Sequence, residues 1–132
     1  MTVNAIRATI EQRIATEMAL APSYPVHYGN APFTPPNNSP WLDAALQFGD
    51  DAYATMASFN RQNGVLAVNI YAPIGAGAAV AFTIAERIKA LFDRVKTGGI
   101  IFQPANGPSQ VLPASPAAYY QVQVIIPFEA YE

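Results

Sequence analysis

The chain has 132 residues, of which 52% are hydrophobic and only 12% are charged, and its formal net charge is −2. This length suits one domain with a sizeable core, so we expect a single domain over residues 1–132. So small a net charge argues against nucleic acid binding as the primary role. Cysteine is absent, which excludes disulfides, a thiol nucleophile and cysteine metal ligands. No run of about 18 apolar residues occurs, so we expect no membrane-spanning segment.

The first predicted element is a helix over residues 4–20, because apolar side chains recur at helical spacing. Pro22 ends this helix, since a proline pushes the residue before it out of the helical region. A short extended piece follows at residues 25–28, and then a proline-rich arm over residues 29–40. The apolar positions of the helix are Val3, Ile6, Ile10, Ile14 and Met18.

Alternation of apolar and other residues predicts strands over residues 41–49, 64–72 and 119–128. Further strands are expected at 53–59, where the alanines also allow a helix, and at 100–102. In the central strand Asn69 and Tyr71 lie on the face opposite the apolar one. Asn63-Gly64 is typical of a tight turn feeding that strand. Pro127 predicts that its end of the last strand lies at a sheet edge.

A second helix is predicted over residues 78–96, stopped by Gly98-Gly99, and a loop is predicted over residues 103–118. The element order favours an α+β fold: a mostly antiparallel sheet with two helices packed on one face. The strand-helix-strand unit is expected to contribute a local parallel pair through a right-handed crossover.

No set of residues combines a base, a nucleophile and an orienting group, so we expect neither an enzyme nor a bound cofactor or metal. His27 is the only histidine, and Asp43, Asp50 and Asp51 match no standard cation loop. Gly75-x-Gly77 between strand and helix is similar to the start of a dinucleotide fingerprint, but Val80 holds the place of its third glycine. A plain turn is the simpler interpretation of these glycines.

Several pieces together resemble the small tail terminator (tail completion) proteins of long-tailed bacteriophages. They are the helix Ala5-Ile-Arg-Ala-Thr-Ile10, Tyr24-Pro-Val-His-Tyr28, and a proline-rich approach to Trp41-Leu42. The most specific piece is the run from Arg61 through the central strand to Gly77, and Gln121-Val-Gln-Val-Ile-Ile-Pro-Phe128 completes the pattern. The resemblance covers the full length of the chain.

The resemblance implies a structural virion protein. Such terminators form a ring, commonly a hexamer, at the head-proximal end of the tail tube, where they stop polymerisation and join the tail to neck or head-completion proteins. The expected partners are therefore other copies of the chain, the tube protein and a neck protein, with DNA only passing through the lumen. The expected location is the virion tail, after assembly in the cytoplasm of the host bacterium.

The family supplies no motif for individual contacts, so the contact residues are predicted from the sequence alone. Arg61 is the first candidate, because arginine is favoured at interfaces, although a solvated turn residue is an equally good interpretation. Two alternative functions stay open: a head-tail connector of the same virion, and a small ligand-binding domain or enzyme. The further expected contact residues are Asn69, Tyr71, Trp41, Pro35, Pro36, Pro108 and Pro113.

Overall fold

The computed structural model describes residues 3–20, 22–29, 39–49, 52–53, 60–73, 75, 78–97, 99–110 and 119–131. In these residues the chain forms two helices, α1 (Val3–Met18) and α2 (Ala79–Phe92), and one eight-stranded sheet. The strands are β1 (Val26–Tyr28), β2 (Trp41–Phe48), β3 (Ala52–Tyr53), β4 (Asn60–Pro73), β5 (Lys96–Thr97), β6 (Ile100–Phe102), β7 (Asn106–Gln110) and β8 (Tyr119–Tyr131).

The described strands run in the order β1-β2-β4-β8-β6-β5, with β3 paired to β4 and β7 paired to β8. Every pairing is antiparallel except that of β1 with β2. The predicted α+β class with a mostly antiparallel sheet is confirmed. The expected parallel pair across α2 is wrong, because β8 lies between β4 and β6 and is antiparallel to both. Pairing β4 with the long β8 satisfies more backbone groups than pairing it with the three-residue β6.

Both helices pack on one face of the sheet and enclose a single cluster of buried side chains. From α1, Ile6, Ile10 and Ile14 are fully buried, as the helical spacing predicts. The predicted apolar faces of β2, β4 and β8 point into the same cluster. Its strand members include Leu42, Ala44, Leu66, Val68, Ile70, Val122, Val124, Ile126 and Phe128.

The predicted turn at Asn63-Gly64 is wrong, because both residues lie inside the continuous strand β4. Gly64 stands opposite Phe48 on one side and Phe128 on the other. The two rings meet edge to face, with centroids 5.8 Å apart. A Cβ on Gly64 would lie 2.5 Å from Cζ of Phe128, so the glycine provides room for the rings and does not make a turn.

The second helix ends at Phe92 and not at residue 96 as predicted. Asp93 leaves the helical region with φ −59° and ψ 113°, and Arg94 then adopts a left-handed φ of 57°. The side chain of Asp93 accepts a hydrogen bond from the backbone N–H of Ala105 at 2.8 Å. Asp93 is therefore the C-cap of the helix, and Gly99 comes after β5 and does not stop the helix.

The predicted edge at Pro127 is also wrong, because β8 has neighbours on both sides. The carbonyl of Pro127 accepts a hydrogen bond from the N–H of Gln103 at 2.8 Å. Since N and O of a strand residue point to the same side, the proline nitrogen faces the interruption between β6 and β7. The predicted loop over 103–118 contains β7, and of the predicted strand over 53–59 only Tyr53 lies among the described residues.

Candidate functional site

The face of the sheet opposite the helices, called the second face below, is the surface on which the predicted contact residues of β2 and β4 meet. Cross-strand register arranges its side chains in four rows. The first row consists of two aromatic side chains and one amide side chain. The second row is polar, and the third and fourth rows are mainly small or apolar. In order, the rows across β2, β4 and β8 are Trp41, Tyr71 and Gln121; Asp43, Asn69 and Gln123; Ala45, Ala67 and Ile125; and Gln47, Val65 and Pro127.

The first row is closed to solvent even though it lies away from the helices. The rings of Trp41 and Tyr71 stack with centroids 4.2 Å apart and planes inclined by 15°. Each residue is 6% exposed, and Gln121 beside them is 8% exposed. Burial raises the pKa of the Tyr71 phenol, and the negative charge of Asp43 raises that pKa further. The stacked pair is therefore part of the packed structure at this end of the face.

The second row is polar across the whole sheet. Nδ1 of His27, on β1, lies 3.1 Å from Oδ1 of Asp43, which is its register partner on β2. Nε2 of Gln121 donates to Oδ1 of Asn69 at 3.0 Å and so fixes the orientation of the Asn69 amide. Side-chain exposures of 32% for His27 and 29% for Asp43 place this pair at a half-open surface. The pair ties the short strand β1 to the sheet.

The third and fourth rows leave apolar surface half open. Ala45 is exposed, while Ala67, Val65 and Ile125 are each half-buried. A shallow cavity of about 410 Å³ opens at the end of the fourth row, where Val65 is one of its lining residues. Rows of this kind, apolar and flanked by amides, offer packing surface and hydrogen-bond partners to another protein.

The structure brings together three of the predicted contact residues, Trp41, Asn69 and Tyr71, in the first two rows of the second face. Arg61 lies within β4, its backbone opposite Ala52 and Tyr131, and its side chain is outside the described part of the structure. Pro108 is half-buried in β7, apart from this group. The remaining predicted contacts, Pro35, Pro36 and Pro113, lie outside the described residues, as do Asp50 and Asp51.

Two features of this face are not among the predicted contacts: the role of Gln121 and the pairing of His27 with Asp43. A signal for Gln121 existed, because the alternation of the last strand already placed it opposite the apolar face. The His27–Asp43 pair depends on the parallel pairing of β1 with β2, which no local pattern indicates. Among the described residues no group of three or more His, Cys, Asp or Glu is placed to hold a metal ion. Gly75 has a φ of 92°, so a turn accounts for this glycine.

Comparison with known proteins decides the family. A family model described as phage tail terminator protein matches residues 5–128. The chain belongs to the phage tail terminator family. The match begins in α1 and ends near the end of β8, so it includes most of α1, all of α2 and the whole second face. The resemblance stated from the sequence is thereby confirmed.

Solved structures support the same fold for this chain. Five solved protein chains match it. One of them is 26% identical, covers 98% of this chain and 96% of its own length, and superposes with a TM-score of 0.73. No curated protein matches the chain.

Family membership gives this protein a structural role in the phage tail and indicates the tail of the virion as its location. The family as a whole is structural and interacts with tail tube and head-neck proteins. Neither described helix is long and apolar enough to cross a membrane.

Proposed function

We propose that this protein forms a ring at the head-proximal end of the tail tube. Six copies are the expected number, because rings of this family are commonly hexamers. There it stops tube polymerisation and joins the tail to a neck or head-completion protein. The observation that carries the proposal is the family match over residues 5–128, which spans nearly every described element. A capping ring needs contacts with its own copies, with the tube below and with the neck above.

The chemistry of the chain supports this role. Only 12% of the residues are charged, so much of the surface is neutral and can be buried against neighbours at a small desolvation penalty. The third and fourth rows of the second face add half-open apolar surface, with Asn69 and Gln123 next to it. We propose that the chain acts as one domain, without catalytic activity or cofactor, and assembles in the cytoplasm of the host bacterium with DNA only passing through the lumen.

We propose that Asn69 is the contact residue of the second face, because its amide is oriented by Gln121 and stays half-exposed. Trp41 and Tyr71 support it from the buried first row. Arg61 and the proline-bearing segments 29–40 and 103–118 complete the proposed contacts. Because residues 106–110 form β7, a deletion that tests the second segment should be confined to residues 111–118.

The decisive experiment deletes the gene from the phage and measures tail length by electron microscopy. Terminator function predicts tubes far longer than normal that fail to join heads. Tails of normal length that still fail to join heads would refute the terminator role and favour the connector. A plasmid copy of the unaltered gene should restore normal virions, which excludes effects on neighbouring genes.

Complementation with variants then tests the contacts. Arg61→Glu, Asn69→Asp and a deletion of residues 111–118 should each leave a folded protein that gives over-long or headless tails. Glu86→Lys is the matched control, because Glu86 is an exposed residue of α2 on the opposite side of the sheet. Normal virions from all three variants would remove these contact assignments and leave the terminator role in place.

A further inference from the structure

Two surfaces on opposite sides of the sheet are uncovered in the described part of the chain. One is the second face, whose third and fourth rows leave apolar side chains half open. The other is the side of α1 that points away from the core. The helices cover only one face of this sheet, and an apolar sheet face is normally buried against another element.

The line of α1 farthest from the core, called the outer side of α1 below, carries no charged residue. Its members are exposed and recur at steps of three and four residues, so they form one line opposite the buried isoleucines. A helix side that faces solvent normally carries the charges of the helix. The members of the outer side are Ala5, Ala8, Gln12, Ala15 and Ala19.

All four charged residues of α1 lie beside its buried stripe instead. Arg7 and Glu11 form an ion pair at 2.8 Å. Nε of Arg13 donates to a backbone carbonyl of α2 at 3.0 Å, and Glu17 lies 3.6 Å from Arg87. Because these charges are used within the chain, the outer side can be buried against a neighbour without desolvating an unpaired charge.

The outer side of α1 and the second face match in size. From Ala5 to Ala19 the outer side is about 21 Å long, at a rise of about 1.5 Å per residue. From Trp41 to Gln47 the four rows extend over about 20 Å, at about 3.4 Å per residue. Three strands about 4.8 Å apart give a width of about 14 Å, which accommodates one helix of about 10–12 Å in diameter. One helix therefore covers the four rows.

Amide groups on the two surfaces are complementary. Oδ1 of Asn69 accepts from Gln121, so the half-exposed Asn69 presents its Nδ2 as a donor. Nε2 of Gln12 donates to the hydroxyl of Thr16 at 3.3 Å, so Gln12 presents its Oε1 as an acceptor. Gln12 is the middle member of the outer side, and Asn69 lies on the middle one of the three strands. Asn69 can therefore donate to Gln12 when the two surfaces meet.

We propose that the outer side of α1 in one copy packs on the second face of the next copy, with Gln12 against Asn69. This inference rests on the proposed ring and names its subunit contact. The two surfaces lie on opposite sides of the chain, so the contact is heterologous and leads from copy to copy until the ring closes. A second copy is the occupant because the chain itself carries an uncharged helix side with the size and the amide that the second face fits.

The size of the contact sets its strength. A footprint of about 20 by 12 Å is well below the roughly 800 Å² per partner of a standard interface. Alanine side chains let the helix approach the sheet closely, but each buries little apolar area. A single contact is therefore weak. Weak contacts fit chains that stay separate in solution and close on the tube, where bound copies have a high local concentration.

Paired substitutions test the contact. Gln12→Lys and Asn69→Asp are purified singly and mixed with isolated tail tubes, and capped tube ends are counted by negative-stain electron microscopy. Each variant alone leaves an unpaired charge in every contact, so capping should fall about tenfold or more. An equimolar mixture should restore capping, because alternating copies place the introduced lysine against the introduced aspartate at every second contact and leave the others unchanged. A chain that carries both changes should restore capping too.

A change at a second position separates the contact from folding. Ala15→Glu places a charge on the outer side of α1 and should also reduce capping about tenfold or more. Ala90→Glu is the matched control, because Ala90 is an exposed alanine of α2, and it should cap normally. Circular dichroism must show unchanged structure for each variant.

The outcomes distinguish this contact from the ring itself. If mixing restores nothing, or if Ala90→Glu reduces capping as much as Ala15→Glu, the pairing is refuted while the ring stands. If Gln12→Lys and Ala15→Glu cap normally and only Asn69→Asp fails, the second face binds the tube or the neck protein, and the pairing is refuted as well. If the unaltered protein never caps tubes, the proposed function itself fails.

Cross-linking reads the contact directly. The chain contains no cysteine, so Ala15→Cys and Ala45→Cys introduce one thiol on each surface. The sheet separates the two positions within one chain, so a short bismaleimide can join them only between copies. On tubes the double variant should give a ladder of cross-linked copies, a mixture of the single variants should give dimers only, and each single variant should give none. Tubes that the double variant caps without any cross-linked species would overturn the pairing.

Discussion

Replacing Gly64 with alanine tests the packing at the start of the central strand. The added Cβ would lie 2.5 Å from Cζ of Phe128 and 3.0 Å from the backbone carbonyl oxygen of Gln47. The phenylalanine ring can tilt, but the carbonyl is held in the β2–β4 ladder. Overpacking of this kind costs roughly 1–3 kcal/mol, while alanine recovers about 0.5–1 kcal/mol of backbone entropy.

These two ranges differ by about 0–2.5 kcal/mol; because the Gln47 carbonyl cannot move aside, we expect Gly64→Ala to lower the free energy of unfolding by about 1–2 kcal/mol, in the upper part of that range. For a chain of 132 residues this corresponds to a fall in Tm of about 4–7 °C, since the unfolding entropy is about 2.1 cal/mol/K per residue. Differential scanning calorimetry or urea unfolding measures both quantities. Gly29→Ala is the matched control, because its Cβ would meet nothing within 4 Å, and its effect should stay within about 0.5 kcal/mol.

A double-mutant cycle identifies the cause. Phe128→Leu removes the ring that the new Cβ approaches, so Gly64→Ala should cost clearly less in that background. Additive effects of the two changes would refute the argument that the ring occupies the space above Gly64. A normal stability for Gly64→Ala alone would refute it as well.

The other predictions concern single side chains and the pH. Ile88 is fully buried, so Ile88→Ala should cost roughly 2–5 kcal/mol in urea unfolding, and unchanged stability would contradict its core placement. Arg87 donates to the carbonyls of Pro22 and Glu17 at 2.7 and 3.0 Å, so Arg87→Ala should lower stability by about 1–2 kcal/mol, with Arg87→Lys in between. The pKa of Tyr71 is raised above the usual 10.0, so its contribution to stability is complete below pH 10 and is lost above it; Tyr71→Phe should flatten that alkaline decline in thermal unfolding. His27→Ala removes the contact with Asp43 that ties β1 to the sheet, so it should lower thermal stability slightly; tail assembly in complementation should stay largely intact, since no catalytic role is assigned to His27.

Local patterns predicted the faces of the long elements well. The spacing of Ile6, Ile10 and Ile14, and the alternation in β2, β4 and β8, identified the side chains that the core buries. These predictions succeed because burial of an apolar stripe depends only on the period of the element. The sequence also placed Asn69 on the face away from the helices.

Long-range pairing was harder to predict. Asn63-Gly64 has turn chemistry, but the neighbours that make glycine necessary, Phe48 and Phe128, are distant in sequence. Arg94 carries a left-handed φ at a residue type that gives no warning of it. The arrangement of the second face depends on which strands become neighbours, and strand order is a property of the whole chain. Strand order therefore cannot be predicted from residue type and hydrophobic period alone.

The position of β8 has a consequence for how the protein is made. The last strand of the chain lies in the middle of the sheet and pairs with β4 from Arg61↔Tyr131 to Pro73↔Tyr119. During synthesis β4 leaves the ribosome long before β8. Until β8 has been made, the backbone N–H and C=O groups on one side of β4 have no strand to pair with. Chains that stop before residue 119 keep that side exposed, and we expect them to aggregate or be degraded instead of competing with intact copies for the tube. If truncated chains behave as expected, only subunits with a complete C-terminal strand reach the assembly.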